Sequence, residues 1–297
     1  MATNRTRRRA TPGSRGGSRK PPRATDNTRP LAIALAVAVI AVIAWLVITA
    51  KAQGNGDNDR PAIPDASALE TAKVSKGTPE ELLRYKGFTV SFNPKTHQPN
   101  WVGWELLASE ADGRHPRTQS FAQDPDVEGC ATPQDYRYSG FDRGHMAPAG
   151  DMKWDVRAMD ESFMMTNICP QAGDLNRGAW NKLEEKCRQR ARRDSAIVIV
   201  CGPVFDKTGA SMLIGPTGVA VPQGFFKVVL SPYADPPRAI GFLMPNGPVP
   251  GGMQKCAVSV DSVESVTGID FFSALPDAVE KEVESQCDFH SWSTGKR

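Results

Sequence analysis

Two stretches of the chain decide the fold and its chemistry: Phe141–Asp151, which reads FDRGHMAPAGD, and Thr166–Arg188, which reads TNICPQAGDLNRGAWNKLEEKCR. The first stretch gathers a histidine, charged residues, glycines and a proline. The second begins with polar residues and continues into a charged segment in which Trp180, Leu183 and Cys187 recur at i, i+3 and i+7. This spacing predicts a helix with one apolar face, preceded by polar loops that can carry function.

His145 is the candidate catalytic base of the first stretch, and it is one of four histidines in the chain. An imidazole titrates near neutral pH, so its free form can accept a proton from water. Arg143 lies two residues earlier, on the same side of an extended chain, and can hold phosphate oxygens in a fork. A histidine beside an arginine is more often an ordinary turn or surface residue, and composition alone leaves both interpretations open.

Asn176, Glu184 and Arg188 are the candidates of the second stretch. Asn176 is expected at the start of the helix, and Glu184 follows eight residues later, about 80° past two full turns, so one site could contact both. Arg188 follows Glu184 at i+4 on the same face. An amide oxygen suits a magnesium ion that keeps most of its water. The alternative is that Asn176 only caps the helix and that Glu184 and Arg188 form a surface ion pair.

Together the two stretches resemble the DNA/RNA non-specific endonuclease family, which includes endonuclease G. The matching residues are Asp142-Arg-Gly-His145, Thr166-Asn167, Pro170-Gln171, Asn176, Trp180 and Glu184. The resemblance covers about residues 81–288. It implies an α+β fold of the ββα-metal (His-Me finger) type with a central, mostly antiparallel sheet, which agrees with the irregular mixture of strand and helix patterns.

The resemblance also implies roles for single residues. His145 matches the general base, Asn176 the direct ligand of Mg²⁺ (Mn²⁺ is the alternative ion), and Glu184 a residue that holds the metal through water. Arg143 and Arg188 match phosphate-contacting positions. Two further residues match supporting positions: Asn167 shapes the site near the histidine, and Asp142 orients the motif. A further phosphate-binding arginine is expected upstream, and both Arg114 and Arg117 fit it.

The implied activity is hydrolysis of phosphodiester bonds in DNA and RNA, without sugar preference, to products with 5′-phosphates, and homodimers occur in the family. Two alternatives stay open: a membrane-tethered nucleic-acid-binding module without catalysis, and a metal-dependent phosphodiesterase of small esters. Phosphate contacts carry no sequence information, and no long basic recognition helix is visible, so cleavage without sequence preference is expected. Stacking of bases on Trp101, Trp104 or Trp154 is a further possibility, although each tryptophan is more typical of a core.

The N-terminal region predicts a membrane protein. Residues 1–30 carry nine basic side chains and one acidic one, which predicts a disordered cytoplasmic tail. Leu31–Ala50 has no charge, and 20 helical residues span about 30 Å of hydrocarbon. By the positive-inside rule the N-terminus stays cytoplasmic and the nuclease domain is exported on a single span. The alternative is a signal peptide cleaved near Ala52, with secretion of the rest.

The remaining divisions follow from composition. Residues 51–80 are predicted as a linker, 81–288 as the nuclease domain and 289–297 as a C-terminal tail. Outside residues 1–30, the chain holds 27 basic and 32 acidic side chains, so nucleic acid must bind a local basic patch. The six cysteines lack a zinc-binding spacing, and disulfides and free thiols are equally compatible with the sequence.

Overall fold

Strands and helices alternate irregularly along residues 63–294, which this computed structural model describes apart from residues 119, 207, 208 and 211. The strands are β1 (Glu81–Arg84), β2 (Thr89–Asn93), β3 (Gln98–Leu107), β4 (Asp142–His145), β5 (Ile168–Gln171), β6 (Ala196–Val204), β7 (Leu213–Ile214), β8 (Val219–Ala220), β9 (Gly224–Ser231), β10 (Arg238–Pro245) and β11 (Ala257–Val258). The helices are α1 (Ala66–Leu69), α2 (Val156–Glu161), α3 (Asn181–Asp194), α4 (Val260–Thr267), α5 (Asp277–Ser285) and α6 (Phe289–Thr294).

Seven of these strands form one sheet in the order β1-β2-β3-β6-β9-β10-β11, and every neighbouring pair in it is antiparallel. The central strand β6 reads AIVIVCGPV and is buried over nearly its whole length. A strand covered on both faces needs such an apolar run, because neither side chain of an alternating pair meets water. The α+β class with a mostly antiparallel central sheet is therefore confirmed.

The two faces of the sheet carry two different layers. Ile197, Ile199 and Cys201 belong to the larger core cluster, which lies on the side of β4, β5 and α3. Val198 and Val200 alternate with them and belong to a second cluster, which includes apolar residues of α1, α4 and α5. Because side chains alternate along a strand, one sheet holds both layers, and the site discussed below belongs to the first.

A strand–strand–helix unit carries the two motif stretches. Strands β4 and β5 form a separate antiparallel pair, in which Asp142 lies opposite Gln171 and His145 opposite Ile168. The helix expected to begin near Asn176 is interrupted, because Gly178 has φ −105° and ψ −108°, outside the helical region. A π-helical turn, Leu175–Trp180, therefore precedes α3.

The folded domain extends beyond both predicted boundaries. In the part of the predicted linker that is described, Ala66, Leu69 and Ala72 are buried in the core. In the predicted C-terminal tail, Trp292 of α6 packs on Phe242 with ring centroids 5.0 Å apart. The boundaries at 81 and 288 are corrected for this reason: short apolar segments without clear periodicity gain their burial only from the sheet that they cover.

No helix among the described residues is both long and apolar enough to cross a bilayer. The predicted tail (1–30) and span (31–50) lie outside the described residues, so the structure does not test these two predictions. All six cysteines are described, and none of them is paired. Five of the thiols are buried and one, Cys287, is exposed, so the question that the sequence left open is answered in favour of free thiols.

Candidate active site

One cleft brings together most of the residues that the sequence singled out. It has a volume of about 380 Å³. Its lining consists of Arg117, Phe121, Arg143, His145, Pro148, Ala149, Gly150, Asn176, Arg177, Asn181, Glu184 and Arg188. The residues come from β4 and the loops before and after it, and from the π-helical turn with the adjoining α3, about 30 residues later in the chain. Among the residues predicted to contact substrate or metal, His145, Arg143, Asn176, Glu184 and Arg188 all line the cleft, whereas the supporting residues Asn167 and Asp142 do not.

His145 is the last residue of β4 and lies between two phenyl rings. Its ring centroid is 5.4 Å from that of Phe121 and 4.8 Å from that of Phe163. The Nε2 atom is buried and has no hydrogen-bond partner. Burial, together with the positive charge of Arg117, lowers the pKa of His145 from 6.5 to about 3. The imidazole is therefore neutral near pH 7, which is the form that can accept a proton.

Asn167 holds the chain that follows His145. Its Oδ1 accepts the N–H of Ala147 at 2.9 Å, and its Nδ2 donates to the carbonyls of Ala147 and Ser162, both at 2.8 Å. The side chain is fully buried behind the cleft. Asn167 does not line the cleft, so it can act on His145 only through the backbone that it holds, in keeping with its expected role of shaping the site near the histidine.

Asn176 is oriented by Asp142. Its Nδ2 donates to Asp142 Oδ2 at 2.9 Å, and Arg177 Nε donates to the same oxygen at 2.9 Å. Burial raises the pKa of Asp142, but the hydrogen bonds from Arg177 and Asn176 outweigh it, and the net pKa is lowered. An ionised carboxylate can only accept hydrogen bonds, so the amide nitrogen must face it and Oδ1 is turned elsewhere.

Glu184 lies on the first turn of α3, partly buried. Among the described residues none hydrogen-bonds its carboxylate. Burial raises the pKa of Glu184 to about 7, although the positive charge of Lys227 opposes the shift. Lys227 is itself buried, with Nζ 4.5 Å from the ring centroid of Trp180 and 5.0 Å from that of Trp104. A buried ammonium therefore lies behind the partly buried carboxylate.

Arg143 and Arg188 are each oriented by a different partner. Arg143 donates to the carbonyl of Pro133 at 2.9 Å, and its guanidinium lies 5.1 Å from the ring centroid of Phe121. Arg188 donates to Asp151 at 2.7 Å. The alternative of a surface ion pair between Glu184 and Arg188 is wrong, because Arg188 forms its salt bridge with Asp151, whose side chain is 1% exposed.

The structure distinguishes Arg114 from Arg117, the two candidates for the upstream phosphate-binding arginine. Arg117 lines the cleft, with its guanidinium 4.9 Å from the ring centroid of Phe163. Arg114 lines an adjoining hollow together with Lys153 and Arg192. The hollow shares Gly150 and Arg188 with the cleft, so basic side chains continue from one into the other.

Several contributors were not identified from the sequence. Phe121, Phe163 and Arg177 carry no local signal, because only the fold brings them to the histidine and to Asp142. Lys227 does carry one: it is the single charge within the apolar run of β9, and a charged residue inside a buried strand needs a partner. Trp101 and Trp104 are at most 1% exposed, so they are core residues and cannot stack on bases.

Comparison with known proteins assigns the chain to a family. A family model described as "DNA/RNA non-specific endonuclease" matches residues 66–278, well over half of the chain. The chain belongs to the DNA/RNA non-specific endonuclease family. The resemblance found in the motif residues and the prediction of a nuclease, a hydrolase of phosphodiester bonds, are thereby confirmed.

Related proteins and a solved structure agree with this membership. Mitochondrial nuclease EXOG of Danio rerio is 37% identical over 67% of this chain, Nuclease C1 of Cunninghamella echinulata 36% over 67%, and mitochondrial endonuclease G of Homo sapiens 33% over 68%. The matches span 64%, 85% and 73% of those proteins, so the chain covers less than two thirds of the zebrafish relative. EndoG in its complex with EndoGI superposes with a TM-score of 0.63 and 28% identity, over 73% of this chain and 95% of that one.

These findings correct the predicted location. Several relatives are named as mitochondrial nucleases, which contradicts the predicted location. The prediction of a single-pass protein with an exported nuclease domain, which rested on the uncharged stretch 31–50 and on the basic residues before it, is therefore corrected, and its alternative of secretion finds no support in these names. The expected membrane contact and the expected homodimer find no support among these relatives either.

Proposed function

We propose that this family member is a Mg²⁺-dependent endonuclease that cleaves DNA and RNA without sugar preference and leaves 5′-phosphates. One observation carries the proposal: His145 and Asn176, which are 31 residues apart in sequence, line the same cleft beside four arginines. The strand–strand–helix unit that holds them is the arrangement expected of a ββα-metal nuclease. An inactive binding module would not require a neutral histidine at the bottom of a basic cleft.

His145 is the general base of the proposed reaction. Its neutral imidazole takes a proton from a water molecule, and the water oxygen attacks phosphorus in line with the departing 3′ oxygen. The P–O3′ bond breaks, the 3′ oxygen gains a proton from water in the cleft, and the phosphate stays on the 5′ side. The rings of Phe121 and Phe163 hold the imidazole in place and exclude competing hydrogen-bond partners.

Asn176 and Glu184 fit a hydrated magnesium ion. The donor set is an amide oxygen, fixed by the contact of Nδ2 with Asp142, and a carboxylate without a hydrogen-bond partner among the described residues. Hard oxygen ligands of this kind suit Mg²⁺ or Mn²⁺, and Mg²⁺ keeps several waters that a carboxylate can hold. When bound, the ion supplies positive charge that stabilises the pentacovalent phosphate and the departing oxygen.

The arginines position the substrate. Arg117, Arg143 and Arg188 are proposed to hold phosphate oxygens, and Arg143 is already oriented by the carbonyl of Pro133. These contacts reach the sugar–phosphate backbone, so they distinguish neither the base nor the sugar. The proposed lack of sequence and sugar preference follows from this.

A nuclease assay with matched variants tests the proposal. The chain should degrade plasmid DNA, single-stranded DNA and RNA in the presence of Mg²⁺, and EDTA should stop all three reactions. His145→Ala should lower kcat by at least about 10²-fold, the usual contribution of a positioned base. His290→Ala, which changes an exposed histidine, is the control and should keep full activity. Equal loss in both variants, or undiminished degradation by His145→Ala, would overturn the assignment.

The same assay separates the alternatives. A chromogenic phosphodiester that is hydrolysed faster than plasmid would favour a small-ester phosphodiesterase. Enzymes of that kind usually gather several carboxylate and histidine ligands at one metal. Among the described residues, the one such group of three lies away from the cleft, at Asp261, Glu264 and Glu284.

A further inference from the structure

Three carboxylates from two helices meet on the side of the sheet opposite the cleft. Asp261 and Glu264 belong to α4, and Glu284 belongs to α5. One possible ligand oxygen of each residue lies within 4.8 Å of the other two. The apolar residues of both helices, Val263 and Val283 among them, pack into the second core cluster, so the backbone beneath the carboxylates is held firmly.

Glu284 is the member that points to a ligand. Its residue is only 6% exposed, and its Oε1 is buried without a hydrogen-bond partner. An unpaired carboxylate oxygen in such a place destabilises a fold unless something neutralises it. Burial, and next the negative charges of Glu264 and Glu280, raise the pKa of Glu284 to about 9. The site therefore needs either a proton or a cation.

The surrounding charges favour a cation. Asp270, Glu280 and Asp261 all add negative potential at Glu284. Lys73, whose positive charge acts on the neighbouring Glu280, is two-thirds exposed, and its ammonium lies 3.5 Å from Asp270. A single proton would neutralise one carboxylate and leave the other two facing each other, whereas a divalent ion can neutralise all three at once.

We propose that Asp261, Glu264 and Glu284 form a binding site for one Ca²⁺ ion that joins α4 to α5. The number of carboxylates favours this ion. One oxygen of each of the three residues lies within 4.8 Å of the other two, which is inside the span of about 5 Å that two ligands at the Ca²⁺–O distance of about 2.3–2.6 Å can reach. Ca²⁺ accepts several protein carboxylates in a flexible geometry, whereas Mg²⁺ usually keeps several waters and binds through one or two carboxylates.

The site is distinct from the proposed catalytic metal position. Asn176 and Glu184 lie on the side of the larger core cluster, whereas the three carboxylates lie on the other side of the sheet. Glu284 also lies beyond residues 66–278, the range matched by the family model, so family membership does not imply it. Ca²⁺ here would stabilise the chain without taking part in cleavage.

Thermal unfolding of the full chain in metal-free buffer, titrated with CaCl₂, tests the proposal. Saturation with Ca²⁺ should raise Tm by about 5 °C once its concentration reaches ~100 times Kd, as mass action predicts for a domain of this size. MgCl₂ should need at least a tenfold higher concentration for the same shift. Glu284→Gln should abolish the Ca²⁺ shift while keeping nuclease activity, and it should fold, because it removes an unfavourable buried charge.

Two control variants make the outcome decisive. Glu282→Gln changes an exposed carboxylate on the same helix and should keep the Ca²⁺ shift. Asn176→Ala should also keep it, which excludes binding in the cleft as its cause. Absence of any saturable Ca²⁺ shift, or a shift that persists in Glu284→Gln, would overturn the proposal. In the first case a proton alone satisfies Glu284, and in the second the ion binds elsewhere.

Discussion

The side-chain amide of Asn176 donates Nδ2 to Asp142 Oδ2 at 2.9 Å, joining the π-helical turn to the first residue of β4 across 34 positions of the chain. The same carboxylate receives Arg177 Nε at 2.9 Å, which fixes its rotamer. Asp142 therefore determines which atom of the amide remains available to a metal, without lining the cleft itself.

Asp142→Asn should weaken the use of Mg²⁺. The neutral side chain can present either an oxygen or an NH₂ group to Asn176, so the orientation of the Asn176 amide is no longer fixed. We expect the Mg²⁺ concentration for half-maximal activity to rise at least about tenfold, as is usual when a residue behind a metal ligand is lost. A Mg²⁺ titration of plasmid cleavage measures it. Asp174→Asn, an exposed neighbour, is the control, and an equal Mg²⁺ requirement in parent and Asp142→Asn would contradict the role of Asp142.

Gly144→Ala should disrupt the strand pair that carries His145. A Cβ at Gly144 would overlap with Gln171 Oε1 and lie 2.5 Å from Gln171 Cβ, inside a buried strand pair. We expect loss of nearly all activity and a lower Tm, measured by plasmid cleavage and thermal unfolding. Gly247→Ala meets nothing within 4 Å and should change neither quantity. An active, equally stable Gly144→Ala would show that β4 and β5 are not paired as described.

Asp135 should contribute stability that depends on pH. Its carboxylate accepts four hydrogen bonds, from the backbone N–H groups and the hydroxyls of Thr132 and Thr217. Burial raises the pKa of Asp135, but these hydrogen bonds outweigh it and lower the pKa below 3.8. A lowered folded-state pKa stabilises the fold above pH 3.8, and this contribution is lost as pH falls through the folded value. Asp135→Asn should therefore destabilise the chain by about 3 kcal/mol at pH 7 and by much less near pH 3.

Urea unfolding at the two pH values measures this difference. Asp126→Asn, which changes an exposed aspartate, should leave stability unchanged at both. Because the residue next to Thr132 is Pro133, whose carbonyl accepts Arg143, the Asp135→Asn variant should also raise KM for DNA. A destabilisation that is the same at pH 3 and pH 7 would mean that the charge of Asp135 is not the cause.

Arg114→Ala should affect long substrates only. Arg114 lines the hollow that adjoins the cleft, where it can contact phosphates beyond the scissile one. Loss of one phosphate contact reduces the steepness with which the logarithm of the DNA-binding constant falls with the logarithm of the salt concentration, by about 0.9. Binding of duplex DNA should therefore become less dependent on salt. Cleavage of a small chromogenic phosphodiester should be unchanged. Lys281→Ala, on the opposite side of the sheet, is the control, and an unchanged salt slope in Arg114→Ala would exclude the hollow from the substrate path.

Lys227→Met should shift the pH dependence of metal use. The positive charge of Lys227 holds down a Glu184 pKa that burial raises to about 7, so its removal should raise that pKa further. At pH 7 Glu184 would then be mostly protonated, and the half-saturating Mg²⁺ concentration should increase. The difference from the parent should shrink at pH 9, where the carboxylate is ionised in both. A constant ratio across this pH range would argue against the electrostatic role of Lys227.

The sequence predicted helix α3 better than the geometry of the site. The apolar spacing of Trp180, Leu183 and Cys187 identified α3, and the apolar run Ala196–Val204 is of the kind that a buried strand requires. The angular argument that joined Asn176 to Glu184 assumed an unbroken helix, which Gly178 interrupts. The two residues nevertheless line one cleft, because the turn and α3 both pack against the same side of the sheet.

By itself the sequence determined the α+β class, the family and the identity of the residues that could carry chemistry, because these depend on local periodicity and on motif spacing. Tertiary structure alone decided that Arg117 and not Arg114 lines the cleft, that Arg188 pairs with Asp151, and that Phe289–Thr294 form a helix packed on the sheet. These are contacts between segments distant along the chain. Their formation depends on how much apolar surface each segment buries against the sheet. A local pattern of residues does not contain this information, so it does not predict these contacts.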